Sequence, residues 1–297
     1  MESKSCACRA ISRSPKGPKK GLFVRNGSYF RKSDGKRIQR FLCVRCRRSF
    51  SQASFSPAFG QKKRHLNSKI FNLLCSGVSM RRTARLLGIN EKTVPGKLTF
   101  LAQLEGKRNR ALLSEITSAN PVREVQFDEM ESSVHSKLKP VSIVLAVTRE
   151  RYILGIDVAS MPAKGILAAL SRKKYGPRVD ERPKVLRSVL EGIRPYLAAN
   201  AHWKSDQCPR YPGAVRDLYP GASHEQFEGK RGCIVGQGEL KKVVFDPLFS
   251  LNHTAAMFRA NVNRLFRRTW CTSKKVSSLL NHLILYASYH NRQLALS

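Results

Sequence analysis

The feature that most constrains the fold is a nearly all-apolar run, Val141 to Val147, in a chain of which 25% of the residues are charged. The run has the length of a strand and falls far short of the ~18 residues that a membrane helix needs. No longer apolar run occurs in the 297 residues. We therefore predict a folded protein with a sheet at this position and no membrane-spanning segment.

The segments around this run predict an α/β domain over residues 121–297. VREVQFDEMES is a short apolar strand that ends in acids, PVSIVLAVTRE holds the apolar run, and RYILGIDVAS is a third strand. GILAALSRKKYG and PKVLRSVLEGIRPYLAAN follow with helical patterns, and AHWKSDQCPRY is a strand that again ends in an acid. Three strands, then helix, then an acid-tipped strand predicts a mixed sheet with helices.

Two acids in this pattern stand out. Asp128 and Asp206 fall at the ends of the first and fourth predicted strands, which are neighbours in the ribonuclease-H-like topology. Two carboxylates brought together there form an oxygen-rich site suited to Mg²⁺ or Mn²⁺, and such ions serve phosphodiester chemistry. Asp157, in the third strand, is the less favoured acid because it alternates with apolar neighbours. Glu129 is expected on the opposite side of the strand from Asp128.

The charge of the chain predicts its partner. Lys and Arg number 55 against 20 Asp and Glu, which gives a formal net charge of +35. Self-repulsion on this scale opposes folding, so a polyanion is the expected partner. Lysine and arginine on phosphates release counterions and give salt-sensitive affinity. We expect double-stranded DNA, and, since MESKSCACRA lacks the apolar stretch of a secretory signal, a cytoplasmic, nucleoid-associated protein.

Cysteines near the N-terminus predict a zinc-ribbon-like β module over residues 1–58. FLCVRCRRSF carries a C-x-x-C pair, and MESKSCACRA carries a tighter C-x-C pair. The segment between them reads as a hairpin that turns at Asp34-Gly35. Four thiolates can hold Zn²⁺ tetrahedrally; a degenerate ribbon without metal is the alternative. The candidate zinc ligands are Cys6, Cys8, Cys43 and Cys46.

Residues 59–105 read as a helix-turn-helix module. Ser79 can cap a short helix that Gly88 ends, and Asn90 can cap the next helix. In this motif the second helix enters the major groove; a generic three-helix bundle is the alternative. Residues 106–120 are expected to link the module to the α/β domain. The candidate DNA contacts are Arg81, Arg82, Arg85, Lys92, Thr93 and Lys97.

In order and spacing, these parts resemble the DDE-type insertion-sequence transposases that combine a zinc ribbon, a helix-turn-helix and a ribonuclease-H-like catalytic domain. The matching parts are NGSYFRKSDGKRIQRFLCVRCRRSFS, SGVSMRRTARLLGINEKTV, VQFDEMES, HWKSDQCP and HTAAMFRANVNRLFRRTWCTSK. The resemblance implies a homo-oligomeric enzyme that binds terminal inverted repeats and catalyses Mg²⁺-dependent strand cleavage and transfer. It also implies that Asp128 and Asp206 are the first two catalytic carboxylates.

The third catalytic residue departs from the family pattern. Relatives usually carry a Glu five residues after the position of His253, and this chain has Phe258 there. Asn261, one turn later, is the first candidate; Glu239 is the second; loss of activity is the third. An inactive DNA-binding regulator and a ribonuclease-H-like nuclease therefore stay open as alternative functions. Arginines expected to contact phosphates on this helix are Arg259, Arg264, Arg267 and Arg268.

Overall fold

The computed structural model describes residues 23–228, 246–266 and 272–297. The chain divides into two compact units, Met1–Ser68 and Lys69–Ser297. In the described residues the first unit holds a three-stranded antiparallel sheet, and the second holds a five-stranded mixed sheet and helices, so the predicted α/β class is confirmed. No helix in these ranges is long and apolar enough to cross a membrane. Five predicted site residues lie outside the described ranges: Cys6, Cys8, Glu239, Arg267 and Arg268.

The sheet of the first unit is a hairpin with a short third strand. β1 (Phe23–Arg31) pairs antiparallel with β2 (Lys36–Cys43), and β3 (Ser49–Ser51) pairs with β2 on its other side. Gly35 has a φ of +66°, the left-handed conformation that glycine adopts without strain. The predicted turn at Asp34-Gly35 is therefore confirmed.

The second unit begins with three helices, α1 (Asn67–Cys75), α2 (Met80–Leu86) and α3 (Thr93–Ala119). Ser79 caps α2 as predicted, since its Oγ accepts the Arg82 N–H at 3.2 Å. The predicted start of α3 is wrong by two residues, because Asn90 was expected to cap the helix and the N-cap is Lys92. The Oδ1 of Asn90 accepts the Lys92 N–H at 2.9 Å, so Asn90 forms a turn and the helix begins only at Thr93.

The five strands of the larger sheet are β4 (Val122–Ser133), β5 (Pro140–Thr148), β6 (Ile153–Ser160), β7 (Leu197–Asp206) and β8 (His224–Phe227). Their order is β6-β5-β4-β7-β8. β5 runs antiparallel to both neighbours, β7 is parallel to β4, and β8 is parallel to β7. The apolar run forms β5, where every residue from Val141 to Thr148 is buried, which confirms the strand predicted at this run.

Helices cover both faces of this sheet: α4 (Leu167–Tyr175), α5 (Arg182–Gly192), α6 (Tyr211–Leu218), α7 (Phe249–Asn261) and α8 (Val276–Leu294). α5 and α6 pack on one face, where Phe127 and Trp203 of the sheet meet Leu190 and Val215 of the helices. On the other face the Gln126 Oε1 accepts the Leu251 N–H of α7 at 3.1 Å.

The stretch 106–120, predicted as a linker, is not an irregular connection. α3 runs for 27 residues to Ala119 and packs along α8. Leu113 in its second half is fully buried in the core of the larger sheet, and the Asn109 Oδ1 accepts the Asn291 Nδ2–H of α8 at 2.9 Å. The predicted division between a helical module and the sheet domain is therefore wrong, because buried side chains of one helix serve both.

Candidate active site and nucleic-acid interface

The two predicted catalytic acids lie on neighbouring parallel strands, β4 and β7. Gln126 of β4 pairs with Lys204 of β7, and Asp128 and Asp206 each lie two residues further along their strands. The negative charge of Asp206 acts on Asp128, so the two carboxyl groups are close to each other. Paired strands lie about 4.8 Å apart, and side chains two residues apart point to the same face. This pairing therefore brings the two acids together near the same end of the paired region. The predicted adjacency of the first and fourth strands is confirmed.

The surroundings of Asp128 disfavour the charged form of its carboxyl group. Its Oδ1 accepts the Glu129 N–H at 2.6 Å and the Tyr211 hydroxyl at 3.0 Å. Burial, and then the negative charge of Asp206, raise the pKa of Asp128 to about 6 in spite of these two hydrogen bonds. Such a carboxylate pair has the chemistry of a divalent-cation site.

Tyr211 is a site residue that the sequence reasoning missed. It opens α6, directly after the turn that follows β7, and its ring lies 4.9 Å from that of Phe127 in the core. Burial, and then the charge of Asp128, raise the pKa of the hydroxyl, so it stays protonated and can donate. The only sequence signal for Tyr211 as a site residue is that an aromatic residue follows soon after an acid-tipped strand.

Asp206 is fixed by the turn between β7 and α6. Its Oδ1 accepts the Cys208 N–H at 3.0 Å, which is the local bond that aspartate favours in turns. Its backbone carbonyl accepts the Gln226 Nε2–H of the neighbouring strand at 2.8 Å. The carboxylate therefore sits on a braced turn at the carboxyl end of β7.

Glu129, next to Asp128 on β4, is occupied by other groups. Its Oε2 accepts the Ser142 Oγ–H at 2.7 Å and pairs with the Arg210 Nη2 at 3.1 Å. The Glu129 side chain is only 7% exposed. This buried ion pair ties β4 to the residue just before α6, and thus braces the chain between Asp206 and Tyr211.

Asn261, the first candidate for the third catalytic residue, makes hydrogen bonds to other groups of the protein. Its Nδ2 donates to the Met257 carbonyl at 3.0 Å and to the Tyr286 hydroxyl at 3.1 Å. Phe258 is fully buried, with its ring 4.9 Å from that of Tyr286, so it packs α7 against α8. Over the described ranges, no group of three or more His, Cys, Asp or Glu could hold a metal ion. The catalytic role of Asn261 stays a prediction.

The helical candidates for DNA contact divide into exposed and buried residues. Arg81, Arg82, Arg85 and Lys92 are exposed, and Thr93 is half-buried. Arg81 also pairs with Glu91 at 3.2 Å. Lys97 is only 4% exposed, so its assignment as a DNA contact is wrong. It falls on the inward stripe of α3 that also carries Val94, Leu98 and Leu101.

The two arginines after His253 that the structure describes also differ in exposure and in their contacts. Arg259 on α7 is exposed, whereas the Nη1 of Arg264 donates to the Thr272 carbonyl at 3.1 Å. The His253 Nδ1 lies 3.4 Å from the Arg151 Nη1 at the turn between β5 and β6. Arg259 is therefore the more accessible of the two described arginines for a phosphate.

Cys43 and Cys46 stand at the turn after β2. The Cys43 N–H donates to the Arg48 carbonyl at 3.0 Å, and the Arg47 N–H donates to the Cys43 carbonyl at 2.9 Å. The backbone N–H of Cys46 lowers the pKa of the Cys43 thiol. Amides directed at a thiolate suit a zinc ligand, so this half of the predicted site fits the metal.

No protein-family model matches the sequence, and no curated protein is significantly similar to it.

Proposed function

We propose that this protein is a DDE-type transposase that binds the ends of a mobile element and catalyses their cleavage and strand transfer. The single observation that carries the proposal is that Asp128 and Asp206 lie close together on the paired parallel strands β4 and β7, each two residues beyond the Gln126–Lys204 pair. The order β6-β5-β4-β7-β8, with β4 antiparallel to β5 and parallel to β7, supports a ribonuclease-H-like catalytic domain.

Asp128 and Asp206 would hold Mg²⁺ or Mn²⁺, since carboxylate oxygens are the ligands these ions prefer. When bound, such an ion lowers the pKa of a water and stabilises the leaving oxygen of a phosphodiester. The residues of the chain position the acids: Tyr211 donates to Asp128, and the Cys208 N–H orients Asp206. The proposed chemistry is hydrolysis at the element end, followed by attack of the freed 3′-hydroxyl on target DNA.

DNA recognition is assigned to the helices that precede the sheet and to the N-terminal module. α2, the turn at Gly88 and the start of α3 have the arrangement of a helix-turn-helix, and Arg82, Arg85 and Lys92 are exposed on it. The net charge of +35 supports a polyanionic partner. In the N-terminal module, Zn²⁺ would be held by Cys43 and Cys46 together with Cys6 and Cys8. We propose a homo-oligomer as the working form, since two ends must be joined.

The test uses the purified full chain, the DNA that flanks its gene, and Mg²⁺. We expect nicked ends and strand-transfer products, and we expect both to vanish in Asp128→Asn and Asp206→Asn while DNA binding persists. The matched control is Asp157→Asn, which makes the same change on β6, separated from β4 by β5. Chemistry that survives in Asp128→Asn would contradict the assignment.

A DNA-binding regulator derived from a transposase is the second candidate. It is favoured by Phe258, which fills with a packed ring the place where the family pattern has a catalytic acid. The same experiment separates the two functions. Binding of element ends without any Mg²⁺-dependent product identifies the regulator, and hydrolysis without strand transfer identifies a nuclease.

A further inference from the structure

The segment between β6 and α5 exposes an unusual amount of apolar surface. Ile166 is 93% exposed, the largest value among the exposed large apolar side chains of the described ranges, and Leu170 is 53% exposed. Val179, in the same segment, is 78% exposed. Neighbouring exposed apolar side chains of this size indicate an interaction surface.

Ile166 and Leu170 lie on one face at the start of α4, and the helix is fixed in place. Ile166, Leu170 and Lys173 follow the spacing of a single helix face. On the opposite face Ser171 is buried, and its Oγ donates to the Leu138 carbonyl at 2.7 Å. The exposed face therefore belongs to a helix that is anchored to the connection between β4 and β5.

The charge close to this face is mainly positive, although Glu131 pairs with Lys164, and Asp180 and Glu181 follow Val179 directly. Residues 161–179 contain no acid, and residues 134–139 beneath the helix contain none either. The basic residues of the two segments are Lys137, Lys139, Lys164, Arg172, Lys173, Lys174 and Arg178. Lys164 pairs with Glu131 at 2.6 Å, but both side chains are more than half exposed, so water and salt screen this pair. A second copy of a +35 chain would be repelled here, whereas a polyanion would be attracted.

The position of α4 relative to the carboxylate pair favours DNA as that polyanion. α4 sits on the connection that follows β4, and Asp128 lies five residues before the end of that strand. Five strand residues span about 16 Å, the length of roughly five base pairs. A duplex at the carboxylate pair could therefore extend to α4.

We propose that the exposed face of α4 is a second DNA-contact surface, distinct from the helices at residues 67–105. Lys173 and Lys174 contact phosphates, and Ile166 and Leu170 press against sugars and base edges in the minor groove. Apolar wedges flanked by basic residues are a common way to engage that groove. This inference rests on the proposed function in one respect: it requires DNA to bind at Asp128 and Asp206.

The first test places a photo-cross-linking amino acid at Ile166 of the full chain, with the exposed Lys184 of α5 as the control position. The probe is a labelled mixed-sequence DNA duplex without divalent cations, and polyglutamate stands in for an acidic protein. We expect cross-links to the duplex from position 166 well above those from position 184. Equal yields at the two positions, or cross-linking to polyglutamate alone, would overturn the proposal.

The second test measures the salt dependence of duplex binding. Lys173→Ala with Lys174→Ala should reduce the slope of log K against log salt by about 2, since each lost phosphate contact removes about 0.9. Ile166→Ser with Leu170→Ser should weaken binding about threefold to tenfold while leaving the slope unchanged. An unchanged slope in the lysine variant would overturn the proposal. Because neither test needs Mg²⁺, a negative result here leaves the catalytic assignment standing, and loss of catalysis leaves this surface standing.

Discussion

The hydroxyl of Tyr211 lies 3.0 Å from the Oδ1 of Asp128 and donates a hydrogen bond to it. This bond joins the first turn of α6 to the middle of β4, across 83 residues of sequence. It stabilises the charged form of a carboxyl that burial and Asp206 disfavour. The charge of Asp128 is therefore set by a balance to which one removable hydroxyl contributes.

Tyr211→Phe should raise the pKa of Asp128 above about 6, because the charged form loses a donor. In the active protein the rising limb of the pH profile of Mg²⁺-dependent cleavage should move to higher pH, by up to about one unit. The control is Tyr219→Phe, which removes a hydroxyl of α6's C-terminal end that bonds the Leu190 carbonyl. A profile shifted equally by both variants would show that the effect is not local to Asp128.

Asp128→Asn should change the pH dependence of stability in metal-free protein. The pKa of Asp128 is about 6 in the fold against 3.8 for the ordinary group, so the folded state holds the proton more tightly. The stabilisation this gives is complete below about pH 4 and is lost as the pH rises through 6. The amide that replaces the carboxyl group in the variant carries no such proton, so Asp128→Asn does not lose this stabilisation as the pH rises. The free energy of unfolding of the variant minus that of the wild type should therefore be about 1–3 kcal/mol larger at pH 7.5 than at pH 4.

Urea denaturation of both proteins at the two pH values, with a chelator present, measures this difference. Asp157→Asn provides a comparison on another strand: burial also raises the pKa of Asp157, so we expect a change in the same direction. A gain for Asp128→Asn that is the same at pH 4 and pH 7.5 would contradict the raised pKa.

Glu129→Gln should destabilise the protein by about 1–3 kcal/mol, because it leaves the partly buried Arg210 without its counter-charge. Glu131→Gln makes the same chemical change two residues along β4. Its pair with Lys164 is more than half exposed on both sides, so we expect a loss below about 1 kcal/mol. Thermal or urea unfolding compares the two variants, and equal losses would mean that the buried pair does not brace the strand.

Substitution of the exposed arginines on α2 should change DNA binding, whereas substitution of the buried Lys97 on α3 should not. Arg82→Ala with Arg85→Ala removes two exposed charges and should lower the salt slope of duplex binding by about 2. Lys97→Met removes a charge that is buried, so it should alter the melting temperature and leave the slope unchanged. Fluorescence anisotropy over a salt series measures the slopes, and a lower slope for Lys97→Met would restore Lys97 as a contact.

Local patterns in the sequence were enough to predict much of this fold. The apolar run gave β5, the Asp34-Gly35 pair gave the hairpin turn, and Ser79 gave the start of α2 because each depends on residues close in sequence. Asp206 ends β7 as predicted, whereas Asp128 lies in the middle of β4, so its predicted place at a strand end is wrong. The two acids on the first and fourth strands predicted the carboxylate pair once the strand order was assumed. These features need little knowledge of the rest of the chain.

Other features were not predicted from the sequence, most of them because they depend on contacts between residues that are distant in the chain. The second half of α3 looked like a charged linker because its core contact, Leu113, is set by the packing of the sheet. Lys97 was counted as a surface charge although it shares a helical stripe with Val94 and Leu101, which was readable from spacing alone. Nothing in the sequence indicates that the hydroxyl of Tyr211 meets Asp128.

The most direct test of the account is Mg²⁺-dependent chemistry on the DNA that flanks the gene, in wild type, Asp128→Asn and Asp206→Asn. We predict strand cleavage and transfer by the wild type, no product from either variant, and equal DNA binding by all three. Products of undiminished yield from either variant would contradict the central claim that these two carboxylates on the neighbouring strands β4 and β7 form the active site.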